Sequence, residues 1–372
     1  MKRLLLFIFV LVIIVILAPG AFAAENDLFS EERQLLESGL SDEAKEGMAA
    51  LGADSIEEII ASGVDGEAVW RYISGMIGKE MKTPLSSFVV LIAAVILCSV
   101  AEGYTYSLRY TETSDIMGAA VSLFTASAVI SPIMGLLGDS VTVIRGGSSI
   151  LLIYLPIMAG MLAFSGHTVS SAGYYAAVSG MCGAVGWLAS GILMPLLNML
   201  LSLSVCSGIS RRINLRGLTS ALTNAFKWLL TFAMSVFAAV IGLNGALSSA
   251  ADGIADKAAK FTLSSLIPFV GASVSDAYSA VRGSVGVLRS GMGVFVILSV
   301  CVSILPVLFR CVLWSALIYF SKLTADALSV GSASSMLNTL SSFLSAVRAL
   351  LICVSVAFIL SSAVMMRIGG SI

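Results

Sequence analysis

Charge is what this 372-residue chain has least of: Asp, Glu, Lys and Arg together make up 12%, about half of the quarter typical of soluble domains. A chain of this length with so little polar surface cannot clothe a water-soluble fold. Histidine is nearly absent. His167, beside Gly166, is the single copy, and without HExxH or a second metal-ligating partner it cannot support zinc-protease chemistry. GxSxG and GxxxxGK[ST] are missing too, so serine-hydrolase catalysis and phosphate-loop ATP hydrolysis find no residues. The six cysteines, Cys98, Cys182, Cys206, Cys301, Cys311 and Cys353, form no CxxC pair and fall inside apolar runs. They read as small packing residues, with no disulfide framework or zinc site. Apart from one short arginine loop, basic residues stand singly at the ends of apolar runs without forming a patch, which argues against nucleic acid as a partner. No enzyme activity, cofactor or metal site is expected.

What the chain does have is hydrocarbon: 58% apolar residues and a mean hydropathy of +1.00. Only helices and closed barrels satisfy their backbone inside a bilayer, and the apolar runs here have the length of helical spans. The expected fold is all-α: a polytopic transmembrane helical bundle of about seven to nine spans over residues 84–372, preceded by a small extracytoplasmic helical segment. Lys2 and Arg3, the apolar run Leu4 to Leu17 and Ala21-Phe22-Ala23 read as a secretory signal peptide over residues 1–23. An uncleaved anchor is the alternative. Residues 24–83 hold 14 acids against 5 bases, and residues 84–372 hold 8 against 14, so the formal net charge of -1 conceals an acidic segment on a basic membrane body.

The acidic segment reads as short amphipathic helices. Leu28, Leu35 and Leu36 mark one; Ser55 and Glu58 form a capping box ahead of Ile59 and Ile60, with Gly63 closing that helix. Asp65 is a candidate cap for another, on which Val69, Tyr72, Ile73 and Met76 recur at helical spacing before Thr83-Pro84. About 60 residues bury little surface alone, so the segment should lie against the membrane body or a partner. The first span is expected over Leu85 to Ala101, the next two on either side of Gly138 to Gly147, and a turn near Gly191 and Pro195. Arg211, Arg212 and Arg216 cluster in one short loop, which the positive-inside rule places in the cytoplasm. Ala172, Ala176, Gly180 and Ala184 form a small-residue ridge suited to close packing within or between subunits.

One pattern occurs twice. Pro132, Gly135, Asp139, Arg145 and Gly146 recur as Pro268, Gly271, Asp276, Arg282 and Gly283, with one residue inserted between Gly and Asp. Copies in opposite orientations would form an inverted repeat with broken or re-entrant helices, in which proline, glycine and acid create a pore or substrate site. The plainer alternative makes Asp139 and Asp276 interfacial acids paired with nearby arginines. Arg310 and Arg348 also interrupt apolar runs, where charge is costly and faces a cavity or a protein neighbour.

The stretch Ala259-Lys260-Phe261, Leu266-Ile267-Pro268-Phe269-Val270-Gly271 and Ser275-Asp276-Ala277 resembles the stage III sporulation protein AE family of endospore-forming bacteria. So does the whole layout of signal peptide, acidic helical segment, arginine-rich middle loop and polytopic body. Ala272 stands where a second glycine is expected. The resemblance implies a multi-pass subunit of the mother-cell membrane around the forespore, in a channel complex formed with other products of the stage III sporulation A operon, including an ATPase and ring-forming proteins, and with forespore protein Q. The function implied is non-enzymatic and permease-like. An independent secondary transporter and a membrane scaffold for ring assembly are the alternatives.

Overall fold

With no water to bond the backbone, the apolar runs must close their hydrogen bonds within themselves. The computed structural model of the chain is accordingly helical, with no strand among the described residues. It describes residues 29–53, 55–62, 66–107, 111–209, 216–266 and 271–367. Three short helices come first: α1 (Ser30–Ser38), α2 (Asp42–Ala50) and α3 (Ile56–Ser62). The Ser41 hydroxyl caps α2 by accepting from the Ala44 N–H at 3.3 Å, and Ser55 caps α3 by accepting from the Glu58 N–H at 3.2 Å, so the expected cap is in place. Gly63 and Asp65 lie outside the described residues, as does the signal sequence.

Long helices follow: α4 (Gly66–Ser107), α5 (Thr111–Phe164), α6 (Thr168–Leu188), a π-helical segment (Ala189–Leu193), α7 (Met194–Ile209), α8 (Arg216–Leu266), α9 (Gly271–Ala327) and α10 (Gly331–Arg367). Among the described residues five of them, α4, α5, α8, α9 and α10, are long and apolar enough to cross a membrane. The chain thus draws fewer and longer helices than the breaks in its apolar runs suggest. Gly138 to Gly147 lies within α5, and Pro84, Pro132, Pro156 and Pro306 are all interior to helices. A proline removes one N–H from the ladder, but neighbouring helices and local adjustment can satisfy the freed carbonyl. At the turn expected near Gly191 and Pro195 the chain instead widens: the Met194 N–H bonds to Ala189 O, five residues back. One extra residue in the turn accommodates the missing N–H of Pro195 without ending the helix.

Contacts fix the directions. Tyr72 Oη donates to Val302 O at 3.2 Å and Arg310 Nε donates to Glu80 at 2.6 Å, each pair separated by 230 residues. A constant offset means that α4 and α9 run parallel. Asp139 meets Arg310 while Tyr154 lies beside Gly293, so α5 is antiparallel to α9. Ser362 bonds to Gly293 and Cys311 to Leu344, which makes α10 antiparallel to α9 as well. The short helices join the same body. Gly39 abuts Ile153 of α5, Gly47 abuts Val302 and Tyr72, and Phe29 stacks edge-on against Phe164 at 6.1 Å. One continuous core runs from Leu36 to Met365, and the boundary expected at 83/84 falls inside α4.

The surface divides at the level of Arg310. Above it, towards the Ser165–His167 turn, α2 and α3 cover α9 while α1 leans on α5, and on this flank charged side chains face outward: Glu46 is 79% exposed and Lys79 is 75% exposed; on the flank of α5 and α6 away from it, Leu152, Phe164, Val169 and Tyr175 are exposed. Below it, towards the Leu328–Val330 turn, Val89, Leu97 and Val100 of α4, Leu123 and Phe124 of α5, and Tyr319, Phe320 and Leu323 of α9 are exposed. The ridge of Ala172, Ala176, Gly180 and Ala184 also faces outward.

Candidate functional site

At the level where the surface changes, one guanidinium joins three helices. Arg310 Nε of α9 donates to Glu80 Oε2 of α4 at 2.6 Å, and its Nη1 donates to Asp139 Oδ2 of α5. The Glu80 side chain is 11% exposed, Arg310 29% and Asp139 46%. Arginine suits the position because its planar fork serves two carboxylates at once and keeps its charge when half-buried. Two acids on one base leave the triad with one excess negative charge. The expectation that Arg310 faces a protein neighbour is met here by Glu80, whose part in the site the sequence concealed. Helix α9 continues through Pro306, so Arg310 is not at a helix end.

The paired-acid alternative holds for Asp139, but with a different arginine. Arg145 is exposed. It follows Asp139 by about 240° around α5, whereas only residues three or four apart face one another on a helix. The first copy of the repeated pattern, from Pro132 to Gly146, lies in the unbroken helix α5. In the second, Pro268 lies outside the described residues, Gly271 opens α9, and Asp276 and Arg282 fall on α9 with side chains outside what is described. Asp276 stands about 50 Å of helix above Arg310, at 1.5 Å per residue. Arg211 and Arg212 lie outside the described residues, and Arg216 opens α8.

A second polar cluster, absent from the sequence reading, lies deep in the upper half. Arg289 of α9 is 4% exposed, and Tyr154 of α5 and Tyr174 of α6 are fully buried. Tyr174 Oη donates to Ser361 O, and Ser362 Oγ donates to Gly293 O at 3.2 Å. A Cβ at 293 would overlap the Met366 side chain and crowd Tyr154, so any larger residue there would require Met366 to move. The only sequence signal for the cluster is an arginine on the edge of the apolar stretch that begins at Val285. Glu80 gave none, since its partner lies 230 residues away.

The model of the stage III sporulation protein AE family matches residues 54–369, a range that contains the whole triad. The chain belongs to that family. Stage III sporulation protein AE of Bacillus subtilis (strain 168) is 26% identical to it over 284 residues, covering 75% of this chain and 70% of that protein. No solved structure matches. Family membership and five membrane-length helices together make the chain a multi-pass membrane component of sporulation. Within this AE-family chain, the triad is the one described place where helices α4, α5 and α9 share a charged side chain.

Proposed function

We propose that this chain is the membrane-embedded, non-enzymatic subunit of the stage III sporulation complex that links mother cell and forespore, with its upper half forming an extracytoplasmic platform. The ring-forming subunits would dock on that platform, and the bundle beneath it would be the permease-like element. The observation that carries this reading is the triad, which fastens α4, continuous with the acidic N-terminal region, to α5 and α9 at one level.

The exposed pair Glu46 and Lys79 argues against hydrocarbon on the flank of the upper half that α2 and α4 form. The exposed apolar belt below suits it, and about 20 residues, the span of a bilayer core, separate Lys82 from Glu102 on α4. The bilayer then reaches from the triad down to the Leu328–Val330 turn. An extracytoplasmic upper half puts the Arg211, Arg212 and Arg216 loop in the cytoplasm, as the positive-inside rule asks. The five membrane-length helices support a permease-like role.

The test is Arg310→Gln introduced at the chromosomal locus of the host. Expected is a strong loss of spores while the protein still fractionates with membranes, together with loss of co-purifying ring-forming subunits. Normal sporulation by a membrane-inserted Arg310→Gln protein would remove the platform from the mechanism.

A further inference from the structure

We infer that two copies of this chain pair side by side in one membrane through the outer face of α6, a contact that rests on the bilayer placement proposed above. Val169, Ala172, Ala176, Gly180, Ala184 and Trp187 recur at helical spacing along that face and are all exposed. A Cβ added at Gly180 would meet nothing within 4 Å. The exposed Leu152 and Phe164 of α5 extend the same flank.

The height of the face decides that lipid does not cover it. Tyr154 and Tyr174 both reach the level of Gly293, the first directly and the second through Ser361 and Ser362 of α10. From there Trp187 lies about 20 Å down α6, whereas Arg310 lies about 25 Å down α9, at 1.5 Å per residue. The whole face thus stands above the triad. Gly47 abuts Val302, so the exposed Glu46 and Lys79 occupy the same band of height on the other flank. An apolar face of this extent, held above the bilayer edge, marks a protein contact.

Charge selects the occupant. The membrane holds every copy the same way up, so a two-fold axis between two copies runs along the membrane normal and sets each residue against its own counterpart at equal height. Any charge on such a face would meet its like and repel it. From Thr168 to Leu188 α6 contains no Asp, Glu, Lys or Arg, so it can face itself without that cost. The flank of α2 and α4 cannot, since it carries Glu46 and Lys79. Shape agrees with charge: small residues four apart form a ridge that lets two helix axes approach to about 8 Å. Paired in this way, the copies cover their apolar flanks and turn their charged flanks outward.

The test uses the full chain in cell membranes, free of native cysteines and carrying Ala176→Cys near the middle of the face. Oxidation with copper phenanthroline should give a disulfide-linked dimer of twice the chain mass. Adding Gly180→Leu, whose side chain enters open space in the single copy, should lower the dimer yield severalfold by holding the two helices apart. Membrane-impermeant maleimide should then label Cys at 176 rapidly in that double variant. A dimer lost with Gly180→Leu, whose separated copies nevertheless resist maleimide, would support the pair while moving it into hydrocarbon, against the bilayer placement. Absence of a dimer with rapid labelling of Ala176→Cys would overturn the pair and leave the placement standing. The pair would equally be overturned by a cross-link to a protein of another mass, or by a dimer yield that Gly180→Leu does not change.

Discussion

Helix α9 is two helices in physical terms. Its most apolar stretch is 72% buried, the highest share among the five membrane-length helices described, against 28% for that of α4, and Phe295, Val296, Leu298 and Val300 above Arg310 are all buried. Below Arg310 it exposes Tyr319, Phe320 and Leu323. The sequence is apolar along both parts, so hydropathy alone cannot distinguish them; the cover does. On the proposed placement of the bilayer, which leaves the upper half in water and the lower half in lipid, water drives Leu36, Met48 and Ile56 of the short helices into the core, each worth about 1.5–3 kcal/mol when fully buried. In the lower half lipid removes that drive, and adhesion falls to close packing and interhelical polar bonds. Ser335 donates to Ser207 O at 3.0 Å, Lys322 donates to Asn338 at 2.7 Å, and the Cys98 thiol lies 3.6 Å from the Thr125 hydroxyl. Apolarity thus serves burial under protein in one half and solvation by lipid in the other.

The sharpest way to break the contrast is at the boundary. Arg310→Ala leaves the Glu80 carboxylate, 11% exposed, without its partner, and a loss of about 2–3 kcal/mol is expected by thermal unfolding in detergent. Glu80→Gln combined with Arg310→Gln should recover part of it, since no uncompensated charge remains; a double-mutant cycle with no coupling would show the triad to be ornamental.

Overpacking the contact between cover and bundle comes next. Gly47→Val places a side chain where Val302 and Tyr72 already stand, at a cost of about 1–3 kcal/mol. The readout is faster proteolysis of residues 29–62 with the membrane body left intact. Cleavage unchanged from wild type would show that α2 does not cover α9.

The smallest effects belong to the exposed partner. Asp139 is 46% exposed, so Asp139→Asn should cost about 0.5–1 kcal/mol, and Arg145→Gln should have no measurable effect. The reverse order would restore the local Asp139 and Arg145 pairing that the sequence pattern suggested.

Much of the fold was legible. Hydropathy announced membrane-length helices, the Ser55 cap announced α3, and the small size of the acidic segment announced that it must lean on something. Helix ends were not, because prolines 84, 132 and 306, which end helices in water, are accommodated inside long helices here. At the site, Arg310 declared itself as a charge in an apolar run, and Asp139 as an acid in a repeated pattern. Glu80 was hidden in an acidic segment where one more carboxylate carries no information. Only the parallel register of α4 and α9 brings it to Arg310.

The most direct measurement is cysteine accessibility in membranes, using a background without native cysteines and a membrane-impermeant maleimide. Glu46→Cys and Lys79→Cys stand above the triad and should be labelled rapidly, while Val89→Cys and Leu97→Cys stand in the apolar belt and should resist. Protection of Glu46→Cys and Lys79→Cys together with rapid labelling of Val89→Cys would put the bilayer around the upper half and contradict the two-layered molecule.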